Sequence, residues 1–217
     1  MTEAAARLQE IRDDIASAAE LARRDCADVT LVAVSKTRSP DEIEPLIAAG
    51  HRNFGESRVQ EALAKWPPLI DRYPDIRLHC VGRLQSNKAA DVVRLFNIIH
   101  SVDRLSLLEA LAAEADKAQR FPLVYVQVNI GEEDQKGGCG LAELPALIAA
   151  VRASPLPLAG LMAIPPQGVE PAPYFALLAK LTRRYDVSGL SIGMSQDFKA
   201  AVMFGATAVR VGTALFE

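Results

Sequence analysis

A chain of 217 residues that is 50% hydrophobic can bury one large core without covalent staples, and its net charge of −3 gives no electrostatic reason to expect nucleic acid or an anionic membrane as partner. The three cysteines, Cys26, Cys80 and Cys139, lie far apart with no C-x-x-C pair, so neither a disulfide framework nor a zinc site is expected, and a reducing cytoplasm fits. The N-terminus lacks the basic and then apolar segments of a signal peptide, and no apolar run approaches membrane-spanning length, which leaves a soluble protein with a small ligand.

In chain order, Leu8, Ile11, Ile15, Ala18 and Ala22 recur at spacings of three and four, which predicts an amphipathic helix over 3–24. From Val29 onward, short β-branched or apolar runs alternate with helical patterns. The runs are 31–35, 53–55, 77–81, 98–102, 124–129, 158–164, 190–193 and 208–211. Helical stretches between them are predicted at 40–49, 57–65, 104–118, 141–151, 172–184 and 196–204, with a further helix carrying Arg83, Lys88 and Arg94 as a solvated face. Ser39-Pro40-Asp41-Glu42 supplies an N-cap with proline in the first turn, and Gly50 stands where a C-cap is expected. Eight βα units in one chain predict a single α/β domain over 1–217, a closed (β/α)8 TIM barrel with an extra N-terminal helix, whose site sits at the carboxyl ends of the strands. An open doubly wound sheet is the alternative.

Lys36 ends the first strand, Leu31-Val-Ala-Val-Ser-Lys36-Thr, and is therefore delivered to the barrel mouth. A lysine partly desolvated there is favoured as a neutral amine that attacks aldehydes, although a lone strand-end lysine is ordinarily just solvated. Near the C-terminus, Leu190-Ser-Ile-Gly-Met-Ser195-Gln-Asp-Phe breaks a strand at small residues. Ser195 there is predicted to cap a helix from Gln196 and, with the free amides of its first turn, to bind an anion. Gly212 and Thr213 follow the eighth strand and extend this into a phosphate cup; an ordinary cap and a tight turn are the plainer reading. Arg210 shares strand parity with Gly212 and is expected to point inward, with a buried salt bridge as the competing explanation. Asn53, His79 and Met162 lie on or beside strands and are weaker candidates for the pocket wall.

These segments resemble the pyridoxal phosphate homeostasis protein family, similar in fold to the barrel domain of alanine racemases. The resemblance also covers Asn53-Phe-Gly-Glu56, Val59-Gln-Glu61, His79-Cys-Val-Gly82-Arg-Leu-Gln-Ser-Asn-Lys88, Gly160-Leu-Met-Ala-Ile-Pro165 and Arg210-Val-Gly-Thr-Ala-Leu-Phe216. It implies pyridoxal 5'-phosphate held as an aldimine on Lys36, with Ser195, Gly212 and Thr213 at the phosphate and Arg210 at the pyridine nitrogen. Asn53, His79 and Met162 become pocket residues. Ser57 departs from the family pattern, which often has Asn after Gly-Glu. The implied role is a cytoplasmic, monomeric carrier that buffers the cofactor or delivers it to dependent apoenzymes or exchanges it with B6 salvage enzymes, without robust catalysis. A racemase or decarboxylase, or a cofactor-free Schiff-base aldolase, remains the alternative.

Overall fold

The computed structural model describes residues 2–216; Met1 and Glu217, the ends of the expected 1–217 unit, lie outside the described residues. The described strands are β1 (Thr30–Val34), β2 (Asn53–Glu56), β3 (Arg77–Cys80), β4 (Ile98–Val102), β5 (Leu123–Gln127), β6 (Leu158–Met162), β7 (Gly189–Ser191) and β8 (Ala208–Val211). They pair in chain order as a closed barrel. Closure is made by parallel pairing of β1 with β8, Thr30 opposite Ala208 through Ala33 opposite Val211, so the sheet has no open edge and the doubly wound alternative is excluded.

The described helices are α1 (Glu3–Leu21), α2 (Pro40–Ala48), α3 (Val59–Arg72), α4 (Ala89–Leu95), α5 (Leu105–Ala118), α6 (Leu144–Ala153), α7 (Ala172–Arg184), α8 (Phe198–Met203) and α9 (Thr213–Phe216). Helix α1 buries Leu8, Ile11, Ile15, Ala18 and Ala19, and stops before the predicted 24 because Arg23 turns left-handed at φ 55. Ser39 and Glu42 form a reciprocal capping box on α2, and Gly50 beyond its end has φ 83, a conformation suited to glycine.

Two sequence expectations are corrected. Helix α3 does not end at Lys65 but continues through Pro67 and Pro68 to Arg72. A proline inside a helix removes a hydrogen bond and costs about 3 kcal/mol, and here the burial of Val59, Ala62, Trp66 and Leu69 along one face offsets it. The predicted helix bearing Arg83, Lys88 and Arg94 is a loop at Arg83, a 3-10 turn over Ser86–Lys88 and then α4, so these three cations share no helical face. Among the described residues, no helix is long and apolar enough to cross a membrane.

Strands β6 and β7 approach unusually closely. A Cβ on Gly160 would lie 2.0 Å from the carbonyl oxygen of Gly189, and one on Gly189 would lie 2.1 Å from that of Ala159. Relief needs backbone movement on both strands. Gly160→Ala is therefore expected to destabilise the protein by about 1–3 kcal/mol or more, read as a lower urea midpoint at unchanged slope. An unaltered midpoint would show that the barrel can spread there at no cost.

Candidate functional site

At the carboxyl ends of the strands, the β1–α2, β7–α8 and β8–α9 connections enclose a cavity of about 450 Å³. Lys36, Ser195, Arg210, Gly212 and Thr213, from opposite ends of the chain, all line it. Lys36 is exposed, so the expected partial desolvation is not met. The residue after it, Thr37, takes the left-handed region at φ 64, and the Lys36 Nζ makes no hydrogen bond or ion pair among the described residues.

Ser195 is not a helix cap. Asp197 occupies that position: its Oδ1 accepts from the Met194 amide at 2.6 Å, and the Phe198 amide donates to the Met194 carbonyl at 2.9 Å, which delays α8 to Phe198. The Ser195 Oγ instead accepts from the Gly212 amide at 3.2 Å, stitching the two cup loops together. Ser195 still reaches the cavity, with its hydroxyl proton free to donate.

Arg210 lines the same cavity and is 5% exposed. Its Nη1 donates to the Ser191 carbonyl at 2.9 Å and the Ser191 Oγ at 2.5 Å, and its Nη2 donates to the Ala163 carbonyl at 3.2 Å. These acceptors replace the carboxylate that a buried salt bridge would need. A guanidinium has five N–H groups, so after three bonds two remain. Burial pulls Arg210 down to about 10, which leaves it charged at neutral pH.

Asn53, His79 and Met162 do not line the cavity. Asn53 opens β2 and lines a separate recess of about 400 Å³ with Arg12 and His51 at the amino end of the barrel. His79 lies inside the barrel, and Met162 is fully buried. Strand membership alone does not say how far along the barrel axis a side chain sits. Arg38 and Asp197, which were not candidates from the sequence, do line the cavity, as does Ser57, noted there only as a departure from the family pattern. Each follows a strand by only a few residues, and that position was the available signal.

The chain matches the model of the alanine racemase N-terminal domain over residues 7–217. It is 42% identical to a pyridoxal phosphate homeostasis protein of Pseudomonas aeruginosa, over 100% of this chain and 96% of that one. Among solved structures, PipY of Synechococcus elongatus PCC7942 without pyridoxal phosphate aligns with TM-score 0.88 at 38% identity, covering 99% of this chain and 100% of PipY. The same protein with pyridoxal phosphate bound aligns with TM-score 0.79 at 39% identity, covering 94% and 100%. The chain belongs to the pyridoxal phosphate homeostasis protein family.

In this family member the lysine loop is clasped from α3. The Lys65 Nζ donates to the carbonyls of Ser35 at 2.8 Å and Arg38 at 3.0 Å, and the Thr37 amide donates to the Glu61 Oε1 at 2.5 Å. Lys65 is also paired at 2.7 Å with Glu56, which is 0% exposed and accepts from the Ser35 hydroxyl at 2.7 Å and the Trp66 indole at 2.9 Å. Removing Lys65 would leave a buried carboxylate without its cation. Lys65→Met is thus expected to cost about 3–5 kcal/mol in urea unfolding, with much of the loss recovered in Lys65→Met/Glu56→Gln. Equal losses in the single and double variants would argue against an uncompensated Glu56 as the cause.

Beneath Arg210 a polar chain runs down the barrel interior. The Ser191 hydroxyl, having accepted from Arg210, donates to the His100 Nδ1 at 2.8 Å. The His100 Nε2 then donates to the His79 Nδ1 at 2.9 Å, and the His79 Nε2 donates to the Asn53 Oδ1 at 3.2 Å. One proton per neutral imidazole satisfies every link. Burial enforces that state, pushing His79 down to about 3 and His100 well below 6.5. The third histidine of the chain, His51, is likewise pushed down to about 4 by burial.

All three histidines take up protons more readily when unfolded, so falling pH favours the unfolded chain. The stability held by their neutral forms is complete above about pH 6.5 and declines below it, at up to about 1.4 kcal/mol per pH unit for each histidine. Urea midpoints at pH 7.5, 6.5 and 5 should show the fall before most carboxylates titrate. A flat profile over that range would contradict neutral burial.

Proposed function

We propose that this chain binds pyridoxal 5'-phosphate in the Lys36 cavity and serves intracellular vitamin B6 homeostasis, holding the cofactor covalently but reversibly and buffering or delivering it. The observation that carries this reading is the pairing, in one cavity of about 450 Å³, of an unpartnered Lys36 amine with the Ser195–Gly212–Thr213 loops and a buried arginine. When bound, the cofactor supplies an aldehyde for a lysine amine, a phosphate and a pyridine nitrogen. The Ser195 and Thr213 hydroxyls suit the phosphate, and the Arg210 N–H groups left after its three bonds to Ser191 and Ala163 suit the ring nitrogen. An arginine at that nitrogen keeps it unprotonated, which weakens electron withdrawal and favours storage over turnover.

The absence of robust catalysis belongs to the same proposal. The ionisable groups in the described wall are Lys36, Arg38, Asp197 and Arg210, and the Asp197 carboxylate is engaged by the Met194 amide. Proton abstraction from an amino acid needs a second acid–base group on the opposite substrate face. We further propose that the chain acts as one monomeric barrel unit in the cytoplasm, with dependent apoenzymes or B6 salvage enzymes as its exchange partners.

Protein loaded with pyridoxal phosphate should be yellow, and borohydride should bleach the band and leave the label on Lys36. Lys36→Ala should lose that band. Label on another residue, or an unchanged band in Lys36→Ala, would overturn the assignment. Robust alanine racemisation that Lys36→Ala abolishes would instead overturn the non-catalytic role.

A further inference from the structure

Beside the lysine cavity, a groove of about 700 Å³ opens between the β2–α3 and β3–α4 connections, and Ser57 lines both. Arg58, Arg83 and Lys88 wall it, and none of them makes an ion pair or side-chain hydrogen bond among the described residues. Among exposed cations elsewhere, Arg94 is matched with Asp91, Lys117 with Glu114 and Lys199 with Asp14. The described wall of the groove contains no Asp or Glu. In a chain of net charge −3, this is a local concentration of uncompensated positive charge, and a concave wall focuses its field.

The wall is also fixed in place. A Cβ on Gly82 would lie 2.1 Å from the Ser57 carbonyl oxygen, so the two connections meet backbone to backbone at Ser57, which lines the groove. Arg104, already paired with Asp103 at 2.5 Å, donates from Nη2 to the Leu84 carbonyl at 2.9 Å and the Ser86 hydroxyl at 3.3 Å, bracing the far side. Its charge is spent on structure. The charges of Arg58, Arg83 and Lys88 are not.

We propose that this groove is a second anion site, which binds a small phosphorylated metabolite through Arg58, Arg83 and Lys88. Two guanidinium forks and an ammonium match the oxygens of a phosphomonoester or diphosphate, and the volume lies within the range of small-molecule sites. The described wall carries no aromatic side chain on which a base could stack, so a nucleic acid strand is not the occupant. The proposal stands on the groove's own residues and does not depend on what occupies the Lys36 cavity.

The test is calorimetric titration of inorganic pyrophosphate into protein whose Lys36 cavity has been loaded with pyridoxal phosphate and reduced with borohydride. One saturable site is expected, weakened at least tenfold in Arg83→Glu/Lys88→Glu and unchanged in Arg94→Glu. If charge reversal disturbs folding, as judged by circular dichroism, Arg58→Gln/Arg83→Gln should show the same loss to a smaller degree. Absence of saturable binding to the reduced protein, or equal affinity in the groove variants, would overturn the site. If reduction leaves no label on Lys36, the cofactor reading fails alone, and the groove is then read in unreduced protein as the component that the groove variants remove.

Discussion

Parallel pairing of β1 with β8 is the constraint on which the candidate site rests. With Val32 opposite Arg210 and Ala33 opposite Val211, residues more than 170 positions apart become neighbours in one ladder. The loop after β1 carries Lys36, and the loop after β8 carries Gly212 and Thr213, so closing the ring places an amine and a cluster of hydroxyl and amide groups around one mouth. An open sheet would leave those strands as two distant edges.

The mouth is then held by polar groups withdrawn from water. The Lys65–Glu56 pair and its bonds to Ser35, Arg38 and Trp66 tie α3 to the lysine loop, and Arg210 hangs from Ser191 and Ala163 above the histidine chain. Such groups add little net stability when satisfied but cost much when one partner is lost. Their effect is geometric. The left-handed Thr37 is held in part by the hydrogen bond from its amide to Glu61.

Charge is distributed unevenly over this end of the barrel. The lysine cavity carries Asp197 as well as Lys36, Arg38 and Arg210, whereas in the neighbouring groove only Arg104 is ion-paired among the described residues and Arg58, Arg83 and Lys88 are not. The net charge of the chain conceals this, because net charge is a sum and a ligand responds to the local field.

The sequence by itself determined the alternation of strands and helices, since periodicity and capping are local: Ser39-Pro40-Asp41-Glu42 folds as the capped start that it reads as. It also marked Lys36, Ser195, Arg210, Gly212 and Thr213, all at or just beyond strand ends, where a barrel gathers its functional groups. Only the tertiary structure decided the rest. Helix α3 runs through two prolines because its buried face outweighs their local cost, and Asp197 displaces Ser195 as cap because a hydrogen-bonded turn over Met194–Asp197 precedes α8. Asn53 and His79 share strands with the site but sit below it, at depths set by strand stagger across the sheet. Periodicity reports the face a residue occupies; height along the barrel axis and convergence between distant loops exist only once the ring has closed.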